Sequence, residues 1–271
     1  MIFWWIEVLR DWGYRLPAAF SYVSSRVLLA ALTSLFVSLL MGPFFIRKLY
    51  ELKIGQSIRK EECPLLGKLH EKKQNTPTMG GILILFSMTI SLFVWMDWSH
   101  VFTYFLLGTT LCLGGVGGLD DYLKLQYKNT KGLSGKKKLL AQSFVASLLA
   151  LYFFTPLSHW LQETVGIDPP VIKEFTSGEG SGTLLSLSEY ASQIYLPFYN
   201  TPLLAVGVGA GLVSVGLLFF VILGASNAAN LTDGLDGLAA GILIMVAICL
   251  GVFAFLSNHM EMARYLHILY I

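Results

Sequence analysis

"GGVGGLDDYLKLQYKNTKGL", residues 114–133, closes a long uncharged run with two adjacent carboxylates, Asp120 and Asp121, and then turns basic. The run before the pair, Val101–Leu119, carries no charge. It is long enough to cross a bilayer, which takes about 20 helical residues. The two aspartates therefore stand where a membrane span meets water, and this reading organises the rest of the chain.

Composition agrees. Of 271 residues, 55% are hydrophobic and 13% charged, and mean hydropathy is +0.63, whereas an ordinary globular domain carries about 25% charge. Five further charge-free runs reach spanning length: Val27–Ile46, Pro77–Met96, Leu139–Leu157, Pro202–Leu223 and Leu238–Leu256. None alternates with a period of two, as barrel strands would, and backbone groups in lipid must be satisfied internally. The expectation is an all-α, polytopic bundle of six spanning helices forming a single membrane domain over residues 1–271. Small residues within the runs suit close helix packing.

Basic residues set the orientation. The connection after the first span holds Arg47, Lys48, Lys53, Arg59, Lys60, Lys68, Lys72 and Lys73; the one after the third holds Lys124, Lys128, Lys131, Lys136, Lys137 and Lys138. Together they contain 14 of the 19 basic residues. Both loops are thus read as cytoplasmic, with both termini outside. The opening "MIFWWIEVLRDWGYRL" is interrupted by Glu7, Arg10 and Asp11 and lacks a basic leader, so residues 1–20 read as an interfacial segment anchored by Trp4, Trp5 and Trp12 rather than a signal peptide. Residues 158–201 form an outer loop in which "TSGEGSGT" reads as flexible and Trp160 and Tyr195 as interface residues. Cys63, Cys112 and Cys249 have no CxxC spacing, so neither a disulfide nor zinc is expected. No internal repeat is visible, which weakens a transporter reading.

Three polar clusters fall on the cytoplasmic side. At a helix C-terminus, two carboxylates meet the unfavourable end of the dipole, at a cost of a few tenths to about 1 kcal/mol each. Lys124, four residues after Asp120, offsets part of that cost if the helix continues. A bound Mg²⁺ would offset more, since it bridges carboxylates to substrate phosphates. In "SNAANLTDGLDGLAAG", residues 226–241, Asn227, Asn230, Asp233 and Asp236 recur every third residue with no lysine or arginine among them. Ordinary turns use the same residue types, but unpaired carboxylates want a metal, a donor or a proton. In "HEKKQNTPTMGG", residues 70–81, Thr78, Gly80 and Gly81 precede the second span beside Lys72 and Lys73. Ser/Thr capping and proline explain part of this pattern, and a helix start with bare glycines also suits an anion. His70, a lone loop histidine, has the weakest claim. Lys136, Lys137 and Lys138 read as a headgroup anchor for the fourth span. Carboxylates, lysines and Mg²⁺ on one face are the equipment of phosphoryl transfer.

The motifs "NTPTMGG", "GGLDDYLKLQYKNTKGL" and "SNAANLTDGLDGLAAG" resemble the phospho-N-acetylmuramoyl-pentapeptide transferase family (MraY), a branch of the polyprenyl-phosphate N-acetylhexosamine-1-phosphate transferases. The resemblance implies a fold of about ten spans and transfer of phospho-MurNAc-pentapeptide from UDP-MurNAc-pentapeptide to undecaprenyl phosphate, giving lipid I and UMP with Mg²⁺ as cofactor. That is the first membrane step of peptidoglycan synthesis, on the cytoplasmic face of the bacterial inner membrane. It also implies catalytic roles for Asp120, Asp121, Asp233 and Asp236, the first as a proposed base toward the lipid phosphate. Substrate contacts are implied for Lys73, Thr78, Lys124, Lys131, Asn227 and Asn230, and Mg²⁺ contacts for Asp120 and Asp121. Expected partners are the two substrates, membrane lipids and a second copy of the chain, with no nucleic acid.

The family pattern continues past "HMEMARYLHILYI", through about four more spans of about 20 residues each, and includes a later metal-binding aspartate. The chain is thus expected to be C-terminally truncated, to insert in the membrane and to lack turnover by itself. Competing readings are a related transferase using UDP-N-acetylglucosamine, an ion-coupled transporter and a non-catalytic scaffold. A transporter would place acidic groups near helix midpoints, where this chain has none. A scaffold would leave Asp233 and Asp236 without purpose.

Overall fold

A computed structural model describes residues 2–14, 22–51, 79–98, 100–127, 132–155, 157–165, 172–174, 183–194, 202–204, 208–233 and 237–266. Among them the chain forms α1 (Ile2–Asp11), α2 (Val23–Glu51), α3 (Gly81–Trp95), α4 (Val101–Gln126), α5 (Gly135–Phe154) and α6 (Leu157–Val165). Strands β1 (Ile172–Glu174) and β2 (Thr183–Leu185) follow, then α7 (Leu187–Ala191), α8 (Val208–Thr232), α9 (Leu238–Ser257) and α10 (Met260–Leu266).

All six expected apolar segments are helices. Five of them, α2, α4, α5, α8 and α9, are long and apolar enough to cross a membrane. The sixth, α3, is apolar throughout but only 15 residues long, about 22 Å at 1.5 Å per residue; the run expected from Pro77 reaches its first described helical residue at Gly81. The protein is an integral membrane protein. Residues 158–201, read from sequence as a plain loop, hold the helices α6 and α7 and an antiparallel β1–β2 ribbon pairing Ile172 with Leu185. The ribbon and an isolated antiparallel bridge between Ile194 and Leu204 are the departures from an all-α fold among the described residues, and pairing this short leaves the class unchanged.

The chain divides into two compact units, Met1–Ala141 and Gln142–Ile271. In the first, α2 and α3 are pinned by side chains that satisfy one another inside an apolar interface. Trp95 Nε1 donates to Thr33 Oγ1 at 2.9 Å, Ser91 Oγ to the Ala30 carbonyl at 2.6 Å, and Ser38 Oγ to Ser87 Oγ at 2.9 Å. Lipid offers no hydrophobic drive between helices, so such bonds and small-residue contacts hold them together. Gly114 of α4 lies against Leu85 of α3, where an added Cβ would sit 2.6 Å from a leucine methyl. In the α3–α4 connection Trp98 packs edge-on to Phe93 and Tyr104, with ring centroids 5.0 and 5.6 Å apart.

In the second unit, α9 buries no residue at all. A helix apolar on every side and so widely exposed is built for lipid or for further helices. It starts at Gly237, whose φ of +78° places it in the left-handed region that glycine enters without strain. Cys112 and Cys249 are free thiols; Cys63 lies outside the described residues.

Candidate active site

Helix α4 does not stop at the edge of its apolar run. It continues through Gln126, so Asp120 and Asp121 sit inside its last two turns and Lys124 in the final one. A basic residue there faces the negative end of the helix dipole, and the i, i+4 spacing anticipated for Lys124 becomes a contact. Lys124 Nζ lies 2.8 Å from Asp120 Oδ2 and 3.0 Å from Asp121 Oδ1, so one ammonium bridges both carboxylates.

The two aspartates are not equivalent. Asp120 is 6% exposed, and its other oxygen, Oδ1, accepts the Leu133 backbone N–H at 2.7 Å. A buried carboxylate is costly unless paired and hydrogen-bonded; here each oxygen has a partner, and Lys138 adds further attraction. The side chain of Asp121 is 41% exposed and, among the described residues, meets only Lys124. One carboxylate is thus locked and the other open.

Gly132 makes the lock. Its φ of +54° is left-handed, and an added Cβ would collide with Asp120 Oδ1 and come within 2.8 Å of Lys124 Cε. Only a residue without Cβ lets the chain pass close enough for the next N–H to reach Asp120. Sequence reasoning placed Gly132 and Leu133 inside the motif without a role; the signal was a glycine following the loop lysines.

The second cluster lies on α8. Asn227 and Asn230 occupy its last two turns, i and i+3 on one side, and Asp233 follows as the first turn residue. Asp233 is exposed and has no side-chain partner among the described residues. Asn227 is held: its Nδ2 donates at 2.8 Å both to the Leu223 carbonyl and to Gln142 Oε1. Gln142 Nε2 in turn donates to Ser226 Oγ at 2.8 Å. The signal for Gln142, missed in the sequence, was a lone amide in a spanning helix, which must find a partner. Lys73, Thr78, Lys131 and Asp236 lie outside the described residues, as does His70.

At the threshold of α3, Met79 takes φ +70° and Gly80 caps the helix with no side-chain bond. Thr78, where the sequence placed threonine capping, lies outside the described residues. A non-glycine residue in the left-handed region costs about 1–2 kcal/mol.

For a divalent ion the described residues offer a partial set: no three His, Cys, Asp or Glu side chains converge among them. Mg²⁺ commonly takes one or two protein carboxylates and completes its shell with water and substrate phosphates. Asp121, half-exposed with an uncommitted oxygen, fits such a ligand. Asp120 would have to give up Lys124 or the Leu133 N–H to serve as one.

Comparison with known proteins completes the identification. A model of glycosyl transferase family 4 matches residues 102–271, and phospho-N-acetylmuramoyl-pentapeptide-transferase signature 1 matches residues 73–85. The chain is 54% identical over 282 residues to the phospho-N-acetylmuramoyl-pentapeptide-transferase of Protochlamydia amoebophila, covering 100% of this chain and 69% of that protein. It is 36% identical over 251 residues to the protein of that name from Vesicomyosocius okutanii, covering 93% of this chain and 60% of the relative. The motifs at Asp120 and Asn227 fall within the first match and Thr78 within the second; the chain belongs to the phospho-N-acetylmuramoyl-pentapeptide transferase family.

Proposed function

We propose that this chain transfers phospho-MurNAc-pentapeptide from UDP-MurNAc-pentapeptide to undecaprenyl phosphate, forming lipid I and UMP. The observation that carries the reading is the bridged pair: a locked Asp120 and an open Asp121 on one lysine, at the polar end of a membrane helix. A lipid phosphate is confined to that depth, and its water-soluble partner must meet it there.

In the transfer, an oxygen of undecaprenyl phosphate attacks the sugar-linked phosphorus. The P–O bond to the UMP phosphate breaks, and UMP leaves with the electron pair. Asp120 or Asp121 takes the proton of the attacking phosphate, and Asp120 fixes Lys124 beside it. Lys124 places positive charge where negative charge accumulates on the transferring group, which is the main protein contribution in such reactions. Asp121 is the residue that would hold Mg²⁺, which when bound would supply charge neutralisation to the pyrophosphate. Asn227, Asn230, Asp233 and Asp236, with Lys73, Thr78 and Lys131, serve the nucleotide side in this proposal. The signature match at residues 73–85 favours the muramoyl-pentapeptide donor over UDP-N-acetylglucosamine.

The site faces the cytoplasm in this reading, because UDP-linked precursors are made there and 14 of 19 basic residues flank it. With the native cysteines replaced, Gln126→Cys reacts with an impermeant thiol reagent only in opened cells and Ser177→Cys in intact ones; the reverse pattern overturns the orientation. The activity test is UMP release from UDP-MurNAc-pentapeptide with and without undecaprenyl phosphate and Mg²⁺. The chain should be measured as it stands and extended to the length of the Protochlamydia relative. Release that ignores the lipid, or no release from the extended chain, rejects the proposal.

A further inference from the structure

Leu223 offers Asn227 a backbone carbonyl, which can only accept. The side-chain atom 2.8 Å from it is therefore the Asn227 nitrogen, Nδ2. That nitrogen also faces Gln142 at 2.8 Å, so the Gln142 atom there is an acceptor, Oε1, and Nε2 turns to Ser226 Oγ. Ordinarily the two ends of an amide side chain are told apart only by their partners; here one carbonyl decides the whole chain of bonds. Both Nδ2 hydrogens of Asn227 are spent. Its carbonyl oxygen, Oδ1, has no partner among the described residues, and the side chain is half-buried rather than closed off.

We infer that Gln142 is a positioning residue that holds the Asn227 amide with its oxygen outward, so that this position recognises an electron-poor group and rejects a phosphate oxygen. The electron-poor group is a cation such as Mg²⁺ or a hydroxyl or N–H of the nucleotide; the inference rests on the proposed transferase reading for what binds, and on geometry alone for the orientation. Gln142 itself is fully buried, at 0% exposure, and touches no substrate. An amide in an apolar helix is costly to bury unless its polar atoms are engaged, and here the engagement spans 85 residues of sequence to reach Asn227.

Three substitutions separate positioning from packing. Gln142→Leu keeps the volume and deletes both bonds. Gln142→Glu keeps an acceptor toward Asn227 and an oxygen toward Ser226. Asn227→Ala removes the group being positioned and, by the signals it abolishes, assigns the Asn227 side-chain amide protons in ¹⁵N-asparagine-labelled protein. With no substrate present, those protons exchange slowly in the parent, slowly in Gln142→Glu and rapidly in Gln142→Leu. Equal exchange in parent and Gln142→Leu overturns the placement, whatever the activity.

In the extended chain, Gln142→Leu shifts one parameter by about tenfold, the size of one lost hydrogen bond. A rise in the KM for UDP-MurNAc-pentapeptide assigns Asn227 Oδ1 to a nucleotide donor; a rise in the Mg²⁺ concentration for half-activation assigns it to the cation. Gln142→Glu stays within about twofold of the parent. Added to Asn227→Ala, Gln142→Leu costs nothing more, because its target is gone; a full tenfold loss in that background shows that Gln142 acts through packing and overturns the inference. A parent chain that neither binds the UDP substrate nor releases UMP defeats the transferase reading, while the exchange experiment still decides the positioning.

Discussion

Asp120 and Asp233 both stand near the end of an apolar helix, yet the first is buried with a partner on each oxygen, and the second is exposed with no side-chain partner among the described residues. Around Asp120 the groups come from a short piece of chain, Asp120 to Lys138, and the fixed element is the acid itself. On α8 the fixed element is an amide, Asn227, held by a residue 85 positions away. A locked carboxylate keeps its charge in place through a reaction. A free one takes its position from whatever binds it. The first patch is therefore organised by its own chain, and the second keeps a carboxylate free of side-chain partners among the described residues.

The largest effect expected from that contrast is at the bridged pair. Asp120→Asn and Asp121→Asn keep the shape of the side chains and remove the charge. In the chain extended to its relative's length, each should lower UMP release by at least about a hundredfold, in the range typical of lost acid–base and electrostatic groups. Membrane insertion should persist, because neither substitution touches the apolar run. Near-normal turnover in both variants would return the pair to a solvated helix end. If only Asp121→Asn retains activity, the open carboxylate is dispensable and the locked one carries the chemistry.

Six helices, their membrane environment and the pairing of Lys124 with Asp120 were legible in the sequence, because span length and i, i+4 spacing are local properties of an apolar helix. The exact end of α4 was not: an apolar run marks where lipid ends, whereas a helix continues as long as its backbone bonds do, here seven residues beyond Leu119. Nor was the role of Gly132. Its positive φ and its contact with Asp120 depend on the chain folding back after a connection of loop lysines, which no periodicity records. Gln142 was hidden differently, since a single uncharged amide leaves a hydropathy pattern intact although its bonding partners decide the face of α8. The ribbon and α7, between residues 172 and 191, escaped because strands of three residues and a helix of five are below the length at which patterning speaks.

A smaller effect should follow from disturbing the lock without touching its charges. Gly132→Ala forces a Cβ into the space of Asp120 Oδ1 and Lys124 and places alanine at φ +54°, a strain of about 1–2 kcal/mol before any collision is counted. Turnover should fall about tenfold or more, since about 1.4 kcal/mol is a factor of ten in rate. Gly42→Ala is the matched control, as its Cβ would rest 3.8 Å from Leu83 in ordinary contact. Equal activity in the two variants would show that the Gly132 approach does not matter to the site, and the contrast between a locked and an open acid would lose its structural cause.

The smallest effect should come from an acid whose partners are all local and far along the chain from either patch. Glu189 closes a capping box on α7, accepting from the Ser186 hydroxyl at 2.8 Å and the Ser186 backbone N–H at 3.0 Å, while Ser186 Oγ accepts the Glu189 N–H. Those bonds hold the Glu189 carboxyl below its usual range. A lowered value means the ionised form is favoured in the folded helix, so its contribution is present above the unfolded pKa and disappears as pH falls through the folded one. Protection of the α7 amides, taken relative to the intrinsic exchange rate at each pH, should therefore fall as pH drops below the ordinary glutamate range, and should fall already at neutral pH in Ser186→Ala, which removes the cap. Glu189→Gln, which can still reach the Ser186 N–H, should keep protection nearly independent of pH in that range. UMP release should be unchanged in both variants. A loss of turnover in Ser186→Ala comparable to that of Gly132→Ala would mean that the segment carrying α7 is coupled to turnover, and that a purely local cap matters as much as the lock on Asp120.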